Sequence, residues 1–532
     1  MYQKAISIST NDTKNIKYIL NMLKYIRLYP KRVLMNRIEK SIIASFVAYN
    51  EQSLSEIVAH TDIPKGTVKK YLPILVEKGF LKAIGEGRGR YYQYTLLQQT
   101  DQIAVFQGAL FVGFLSYGAG QYRFEYDEGY KGKRLDGLMQ NTNTASSLFP
   151  VFENLIPESD RRDLYLAEDK NLVEILLELH NTHGDFDFVP ADKLYAYKKD
   201  YSKRKNWLLV KEKILETQHY INILAFDIDI EEEILLEKGK HSSLSGYQNK
   251  IDVTIDFERK CIRQTKEALY LLKPYNVETA VYDFKNKDQI YLPFLGLNEH
   301  LFMSFAKNAY GFDVPWSGII AGEKDFHYIV KRYDRYDGYK YEQRDFAQIM
   351  QIKSDQKYFT TSEKLFDTIA EVIKDKEERI KCLEFYLFSF IIEHADLHVK
   401  NISVLNIGRN KHILSPLYDL ISNGVYRGDS DELGLPLGGK KRNIALDAFY
   451  DLARRVGISK LQTKKIAKRM VMIFMEKFPE YIEASSQISN FEHLKVQKNR
   501  VYFDTFANDL QRFYQRRMES FRQRGILEEL GL

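Results

Sequence analysis

The stretch of sequence between residues 382 and 421 places the strongest constraint on how this chain can fold. It opens with an apolar segment at Cys382–Ile392, which is typical of a buried helix. A polar loop with several titratable side chains follows at 394–401, and a short apolar strand comes next. A second hydrophobic stretch then ends in a lone aspartate, Asp419. We therefore expect a mixed helix-and-strand domain whose core elements present this loop and this aspartate.

Residue spacing in this stretch predicts phosphoryl-transfer chemistry. Asp396 and Asn401 are five positions apart, which is the spacing of a kinase catalytic loop. In such a loop the aspartate accepts the proton of the substrate hydroxyl and the asparagine holds a metal ion. Asp419 stands 23 residues after Asp396, where a second metal-binding carboxylate is needed. Because Mg²⁺ prefers oxygen ligands, the sequence predicts a magnesium site at Asn401 and Asp419.

A transition-metal site is the competing interpretation of the same loop. His394, Asp396 and His398 alternate along the chain, and alternate residues of a strand share a face. This interpretation lacks a third histidine or cysteine nearby, and it leaves Asn401 and Asp419 unexplained. A solvated surface loop is the remaining alternative.

A serine- and glycine-rich loop lies upstream, at 241–250, and is a candidate for binding phosphates. Its backbone N–H groups could face the phosphates of a nucleotide, with Ser245, Gly246 and Lys250 as contacts. Stretches of this composition are also common as surface turns.

Two further stretches complete the order expected of a kinase. The segment Glu267–Pro274 predicts a strand that delivers Lys273, placed to grip the α- and β-phosphates. Leu297–Ala306 opens an amphipathic helix whose Glu299 would pair with that lysine. Taken singly, the lysine could reach solvent at a strand edge and the glutamate could complement a helix dipole. The shared order favours the kinase.

The first 98 residues form a separate, basic region. They carry 16 Lys and Arg against 7 Asp and Glu, although the whole chain has a net charge of only +6. Such an imbalance favours a polyanionic partner. Residues 1–37 read as a basic helical arm, and the order of three helices and a hairpin in 38–98 predicts a winged helix-turn-helix.

In a winged helix the third helix enters the major groove of DNA and the wing touches the backbone. The predicted DNA contacts are therefore Lys65, Thr67, Lys69, Lys70, Arg88 and Arg90. The alternative is a winged helix that serves only protein contact or dimerisation. A homodimer also suits DNA binding, because winged helices usually bind paired half-sites.

Composition limits the compartment. The chain has 2 cysteines, Cys261 and Cys382, so a disulfide framework or a cysteine-based zinc site is excluded. We expect no signal peptide and no membrane span, because the longest apolar run is well short of the roughly 18–20 residues required. A cytoplasmic protein with no membrane partner is the expectation.

At this point the sequence resembles the HipA-type serine/threonine kinase toxins of type II toxin–antitoxin systems. The resemblance spans roughly residues 108–440. It rests on Val112–Leu115, Arg123–Asp127, Leu148–Glu158, Ser245–Lys250, Leu272–Pro274, Asn298-Glu299, Arg332–Arg335, Asp396–Asn401 and Leu417–Asp419.

The resemblance implies an α/β (α+β) protein: a two-lobed kinase with a mixed N-lobe and an all-helical C-lobe behind the winged helix. We place the HipA-like N-terminal subdomain at 99–240, the kinase N-lobe at 241–350 and the helical C-lobe at 351–532. ATP and Mg²⁺ are the implied cofactors.

The resemblance also implies roles for individual residues. Asp396 is the base, Lys273 and the loop contact ATP, and Asn401 with Asp419 holds the metal. It implies a protein substrate, which in this family includes translation components, and an antitoxin partner. Autophosphorylation at Ser243 or Ser245 would switch the enzyme off, because the added phosphate repels the nucleotide.

Three departures from the family pattern bear on these roles. Asn249 replaces the usual residue before Lys250, and His398 stands where many protein kinases have a lysine, so that Lys400 would serve instead. The DNA-binding module of such systems is normally a separate antitoxin, whereas here it is fused. An ATP-responsive transcriptional regulator is therefore an alternative, and a metal-dependent nuclease is a weaker one.

Overall fold

The computed structural model resolves two compact units. One comprises Met1–Thr100 with Gly118–Gly120, and the other comprises Asp101–Tyr117 with Gln121–Leu532. The described residues are 37–45, 51–61, 63–77, 81–87, 90–94, 102–118, 121–158, 170–179, 181–197, 199–217, 220, 228–230, 250–265, 268–275, 292–322, 325–426, 428, 430–488 and 500–532.

The first unit packs three helices against a small antiparallel sheet. Its sheet order is β1-β3-β2, and its core is made by aliphatic residues such as Ile42, Ile57 and Leu72. The elements are α1 (Arg37–Ser45), β1 (Glu51–Ser53), α2 (Leu54–Thr61), α3 (Lys65–Glu77), β2 (Leu81–Ile84) and β3 (Tyr91–Tyr94).

Local sequence sets where α2 begins. The Ser53 hydroxyl accepts from the Glu56 N–H at 3.3 Å, and the Glu56 carboxylate accepts from the Ser53 N–H at 2.6 Å. This reciprocal pair is a capping box. Strand β1 differs from the expectation, because the predicted order of three helices and a hairpin has no strand before the second helix. The predicted DNA contact Arg88 lies outside the described residues.

The second unit begins with a five-stranded sheet in the order β7-β6-β5-β4-β8. Its inner face carries alternating aromatic and aliphatic residues such as Phe124 and Leu115, and these pack on the buried segment around Phe152. Its elements are β4 (Ile103–Gln107), β5 (Leu110–Gly118), β6 (Gln121–Tyr126), β7 (Thr142–Ala145), α4 (Pro150–Glu153), α5 (Leu172–Glu178), β8 (Phe186–Pro190), a 3₁₀ turn (Ala191–Ala196) and α6 (Trp207–Leu215).

A six-stranded sheet follows, in the order β13-β14-β12-β10-β11-β9. Helix α7 (Leu295–Asn308) contacts it, and this helix is buried from Gly296 to Ala306. The prediction that this helix is amphipathic is therefore wrong, since its polar residues are enclosed by the core. The strands are β9 (Asp229–Ile230), β10 (Ile251–Asp256), β11 (Cys261–Gln264), β12 (Tyr270–Lys273), β13 (Ser317–Ala321) and β14 (Phe326–Lys331).

The remaining part of the unit is mainly helical and holds the largest core, yet it also contains strands. The antiparallel sheet β17-β18-β19 joins Gln343–Asp345 to the segment after the polar loop. The predicted all-helical C-lobe is therefore wrong, because the segment after the loop forms strands that pair with one another and with Gln343–Asp345. The strands are β15 (Arg335–Tyr336), β16 (Tyr339–Lys340), β17 (Gln343–Asp345), β18 (Ser403–Asn406) and β19 (His412–Leu414).

The helices of this part pack around one long hydrophobic helix, α10, which leads into the polar loop. Eleven of its residues are buried, and so the loop starts from a fixed point. The helices are α8 (Phe346–Ile349), α9 (Ser362–Val372), α10 (Lys376–Ile391), α11 (Leu446–Arg455), α12 (Lys460–Gln487), α13 (Arg500–Gln523) and α14 (Ile526–Leu530), with a 3₁₀ turn at Ser354–Gln356.

Candidate functional site

A cleft lies in the second unit, lined by residues of the six-stranded sheet, of α7 and of the polar loop. Its lining includes apolar residues, such as Leu271, Met303 and Val330, and charged residues, such as Lys273 and Asp419. A mostly apolar cleft with a few convergent charges is typical of a small-molecule site.

Lys273 is a charged residue of the cleft lining with three hydrogen bonds to carboxylate oxygens. Its Nζ donates to both carboxylate oxygens of Glu299, at 2.7 and 2.8 Å, and to Oδ1 of Asp419 at 2.5 Å. Burial alone would lower the pKa of Lys273, but the two carboxylates hold that pKa above its ordinary value. The ammonium therefore stays charged at neutral pH. The predicted strand ending at Lys273 and the predicted pairing with Glu299 are confirmed.

Asp419 connects two lysines. Its Oδ2 accepts from Nζ of Lys250 at 3.1 Å, while its Oδ1 accepts from Lys273. Burial would raise the pKa of Asp419, but the two ammonium groups hold it well below its usual range. The pKa of Lys250 is lowered by burial, partly offset by Asp419. The cleft thus contains two cations that share one carboxylate.

The backbone around Asp419 is held in an uncommon conformation. Asp419 has φ of 53°, in the left-handed region that few non-glycine residues adopt. One residue of helix α7 fixes the segment: the side-chain amide of Asn298 donates to the Ser422 carbonyl and accepts from the Ser422 N–H, both at 3.0 Å. Helix α7 therefore positions Glu299 and the Asp419 segment together.

The polar loop places Asn401 in the cleft and Asp396 at the surface. The Asn401 Nδ2 donates to the Asp396 carbonyl at 3.1 Å, which ties the two ends of the loop together. Asp396 is exposed, and the hydroxyl of Tyr358 donates to its Oδ1. The loop therefore presents an amide to the cleft and a carboxylate to its rim.

Lys400 lines the cleft and is held from two sides. Its Nζ donates to the Ser354 hydroxyl at 2.7 Å and lies 2.8 Å from Oε1 of Glu158. Glu158 also pairs with Lys357 at 2.6 Å. Burial would raise the pKa of Glu158, but Lys400 and Lys357 hold it far below its usual value. The role of Lys400 toward a nucleotide stays a prediction.

A buried ion network forms the back of the cleft. Arg332 donates to Asp334 at 2.8 and 3.0 Å and to Asp252 at 3.2 Å. Its guanidinium also donates to the carbonyls of Asn181 and Thr182. The network therefore joins strand β10 to the segment that precedes β8.

Sequence reasoning assigned no role to Glu158, Ser354, Tyr358 or Arg517. Their partners are distant in sequence, and Glu158 and Lys400 are the clearest example. Among these four residues, Glu158 alone could have been found from the sequence, because it lies in a stretch, Leu148–Glu158, that resembles a known family.

The remaining predicted site residues lie in the first unit or outside the described part of the chain. Ser243, Ser245 and Gly246 lie outside the described residues. In the first unit, Lys65, Lys69, Lys70 and Arg90 are exposed and Thr67 is half-buried. These four cations and Thr67 remain predicted DNA contacts.

The transition-metal interpretation finds no support in the part of the chain that the structure describes. There, no group of three His, Cys, Asp or Glu side chains is placed to hold a metal ion. His394 is fully buried, and burial lowers its pKa. In the same described part, no helix is long and apolar enough to span a bilayer.

The donor set of the cleft fits a magnesium nucleotide. Lys250 and Lys273 offer two buried ammonium groups, and Asn401 and Asp419 offer oxygen ligands. His183, which also lines the cleft, is 6% exposed, and its ring nitrogens find no hydrogen-bond partner in the described structure. The apolar residues that also line the cleft suit a planar base.

Part of the chain matches a family of known proteins. Residues 242–478 match the HipA-like C-terminal domain. The matched segment contains the cleft residues Lys250, Lys273, Glu299, Asn401 and Asp419. It does not include the five-stranded sheet or the first unit.

Three relatives are named as kinases. Putative kinase from Haemophilus influenzae is 26% identical over 255 residues, covering 42% of this chain and 70% of the relative. Putative kinase Y4mE from Sinorhizobium fredii is 26% identical over 266 residues, covering 47% of this chain and 60% of the relative. Putative kinase Y4dM of the same organism is 27% identical over 191 residues, covering 33% of this chain and 46% of the relative.

A solved structure has the same fold. It is the Shewanella oneidensis HipA of a toxin–antitoxin system, in complex with HipB and operator DNA. The TM-score is 0.51 at 15% identity, over 78% of this chain and 97% of that one. The second unit is therefore a mixed α+β protein with a HipA-like C-terminal domain.

Proposed function

We propose that this chain is a Mg-ATP-dependent serine/threonine protein kinase of the HipA type. The observation that carries the proposal is Lys273, held between Glu299 and Asp419 in a cleft that also contains Asn401. In a protein kinase such a lysine grips the α- and β-phosphates, and a glutamate of a helix holds it in place.

Each residue of the site has a part in this reaction. Lys273 and Lys250 would bind the phosphates, and Asn401 and Asp419 would hold Mg²⁺. The metal would supply positive charge that neutralises the phosphates. Asp396 accepts the proton of the substrate hydroxyl, which suits its position at the rim. On nucleotide binding, contacts with phosphate would replace the ion pairs that Lys250 and Lys273 make with Asp419, which would leave the carboxylate to hold the metal.

Intact-mass spectrometry tests this proposal. The purified chain, first dephosphorylated, is incubated with Mg-ATP beside an Asp396→Ala variant treated identically. We expect whole phosphate masses to appear on the wild type alone. A dephosphorylated wild type that binds ATP and gains no phosphate would reject autophosphorylation and leave the ATP-responsive regulator as the better account.

Mapping of the phosphate tests the proposed off-switch. We place autophosphorylation at Ser243 or Ser245, beside the candidate ATP contacts Ser245, Gly246 and Lys250. A phosphoserine adds close to two negative charges where the nucleotide phosphates bind. The singly phosphorylated protein should therefore bind ATP more weakly than the dephosphorylated protein.

The first unit supports a DNA-binding role. Helix α3 exposes Lys65, Lys69 and Lys70, and the β2–β3 hairpin exposes Arg90. We propose that residues 38–98 are a winged helix that autoregulates the operon, with α3 in the major groove. The Shewanella protein is in complex with an antitoxin and operator DNA, which favours an antitoxin partner here as well.

A transcriptional regulator in which ATP acts only as a ligand is the second candidate. The exposed cations of α3 favour it, whereas an intact Asp396 at the rim favours catalysis. The Asp396→Ala variant separates the two, because a regulator would retain ATP-dependent DNA binding without the base.

A further inference from the structure

Tyr358 makes a contact that the proposed reaction does not use. Its hydroxyl donates to Oδ1 of Asp396, the proposed base. A general base must lie within hydrogen-bond reach of the proton that it abstracts. The tyrosine hydroxyl therefore occupies, at Oδ1, one of the positions from which an acceptor hydroxyl can donate to this carboxylate.

The surroundings of Tyr358 hold its backbone and leave its side chain at the rim. Lys357 pairs with Glu158, and the N–H of Phe359 donates to the Gln356 carbonyl at 2.8 Å. The phenol ring is half-buried and packs edge-on against His398, with ring centroids 5.0 Å apart. The adjoining Phe359 is 81% exposed, so this segment lies at the surface that an incoming chain would reach.

Two cations further define the ring position. The Nζ atoms of Lys357 and Lys441 each lie 5.7 Å from the Tyr358 ring centroid. Burial, and next the charge of Asp396, raise the pKa of Tyr358 above its ordinary value. At neutral pH the phenol is thus a hydrogen-bond donor, and it is a poor group from which to take a proton.

We infer that Tyr358 fills an acceptor position of the resting enzyme and keeps water away from Oδ1 of Asp396 until a substrate hydroxyl displaces it. Tyr358 would then determine which acceptor receives the phosphoryl group. A protein that binds the rim gains enough contacts to displace the phenol, whereas a water molecule does not. This inference rests on the proposed kinase function.

The test compares two acceptors in the full-length protein. Tyr358→Phe removes the hydroxyl and keeps the ring, and Tyr514→Phe is the matched control. Tyr514 is also half-buried, and its hydroxyl donates to the Met475 carbonyl at 3.0 Å. ATP hydrolysis measures transfer to water, and labelling of myelin basic protein measures transfer to a protein hydroxyl.

We expect Tyr358→Phe to raise the rate of ATP hydrolysis on the order of tenfold. The free energy of a hydrogen bond to a charged group corresponds to about this factor in rate. The ratio of hydrolysis to protein labelling should rise as well, and Tyr514→Phe should match the wild type. Loss of packing would instead lower both rates together, and that result overturns the inference in favour of a positioning role. Unchanged rates overturn it too.

Other outcomes of the same experiment separate a failure of this inference from a failure of the proposed kinase function. Phosphate mapped to Tyr358 itself in the wild type would make this residue an acceptor and refute its role as an occupant. If wild type, Tyr358→Phe and Tyr514→Phe all bind ATP yet transfer phosphate to neither acceptor, the proposed kinase function fails and the inference fails with it. Transfer by the wild type with no change in Tyr358→Phe rejects the inference alone.

Discussion

At the scale of single residues, the buried pair of Lys273 and Glu299 couples stability to function. Both side chains are nearly inaccessible, at 4% and 1% exposure. Removing one partner of such a pair leaves an uncompensated buried charge, which costs about 3–5 kcal/mol. We expect Lys273→Met to lower the free energy of unfolding by about this amount and phosphoryl transfer by at least about 100-fold.

The double variant Lys273→Met/Glu299→Leu is the control for this prediction. It replaces the pair with apolar side chains, so stability should recover by at least half while transfer stays low. Urea unfolding at pH 7 and the rate of autophosphorylation measure the two effects. A double variant no more stable than Lys273→Met would contradict the prediction.

His300, next to Glu299, predicts a pH dependence of stability. It is fully buried, with Nδ1 3.0 Å from the Ser317 hydroxyl and Nε2 3.3 Å from the Tyr220 carbonyl. Burial lowers the pKa of His300 to about 4. The unfolded chain titrates near pH 6.5, so it binds more protons than the folded protein between these values.

Stability from His300 is therefore complete above about pH 6.5 and is lost as the pH falls through 4. The loss reaches about 3 kcal/mol if the full shift is realised. His300→Gln should flatten this part of the curve, as urea unfolding between neutral and acidic pH would measure. Parallel curves for the two proteins would reject the assignment.

At the scale of elements, the end of helix α10 determines where the polar loop begins. The last carbonyls of a helix lack intrahelical partners. Arg517 of α13, which is 1% exposed, donates to the carbonyls of Phe390 and Ile391 at 2.6 and 3.1 Å. It also donates to Glu432 at 2.5 Å. A helix distant in sequence thus supports the loop that carries Asp396.

We expect Arg517→Met to lower the free energy of unfolding by about 3–5 kcal/mol, since it removes a buried guanidinium that donates to two carbonyls and pairs with Glu432. The rate of phosphoryl transfer should fall more than the affinity for ATP. The reason is that the loop with Asp396 loses its support, whereas Lys250 and Lys273 keep their positions. Arg522→Met, on the same helix, is the control: its pair with Glu519 is exposed, at 66% and 49%. That variant should change stability by less than about 0.5 kcal/mol.

The same elements show what the sequence could and could not predict. The strand ending at Lys273 and the helix before the loop were readable, because each has a clear pattern of apolar residues. Strands β17–β19 have three or four residues each. Such segments have too short a pattern to identify, and β17 pairs with β18 across about 60 residues, as Asp345 with Ser403 shows.

The residues of the site also divide into those that the sequence could bring together and those that only the fold brings together. Spacing in the sequence brought Asp396, Asn401 and Asp419 into one prediction, because a single loop and the strands after it carry all three. Glu158 and Lys400 are 242 positions apart, and only folding brings them within 2.8 Å. Tyr358 belongs to this second class, since neither its neighbours nor its spacing mark its contact with Asp396.

At the scale of the whole molecule, the basic first unit and the second unit should have separable functions. Lys69 and Lys70 are exposed on α3, and a helix presented to DNA neutralises phosphates with such side chains. Each phosphate contact adds about one to the slope of log affinity against log salt concentration. We expect Lys69→Glu/Lys70→Glu to weaken binding to duplex DNA and to reduce that slope by about 2.

Lys464→Glu/Lys465→Glu is the matched control, because it makes the same charge change on two adjacent exposed lysines of α12. Fluorescence anisotropy with a labelled duplex of mixed sequence, over a series of salt concentrations, measures both variants. Autophosphorylation of both should equal that of the wild type, since neither pair lies in the cleft. If the two variants lost equal affinity and equal slope, the attraction would come from net charge rather than from α3, and the winged-helix assignment would lose its support.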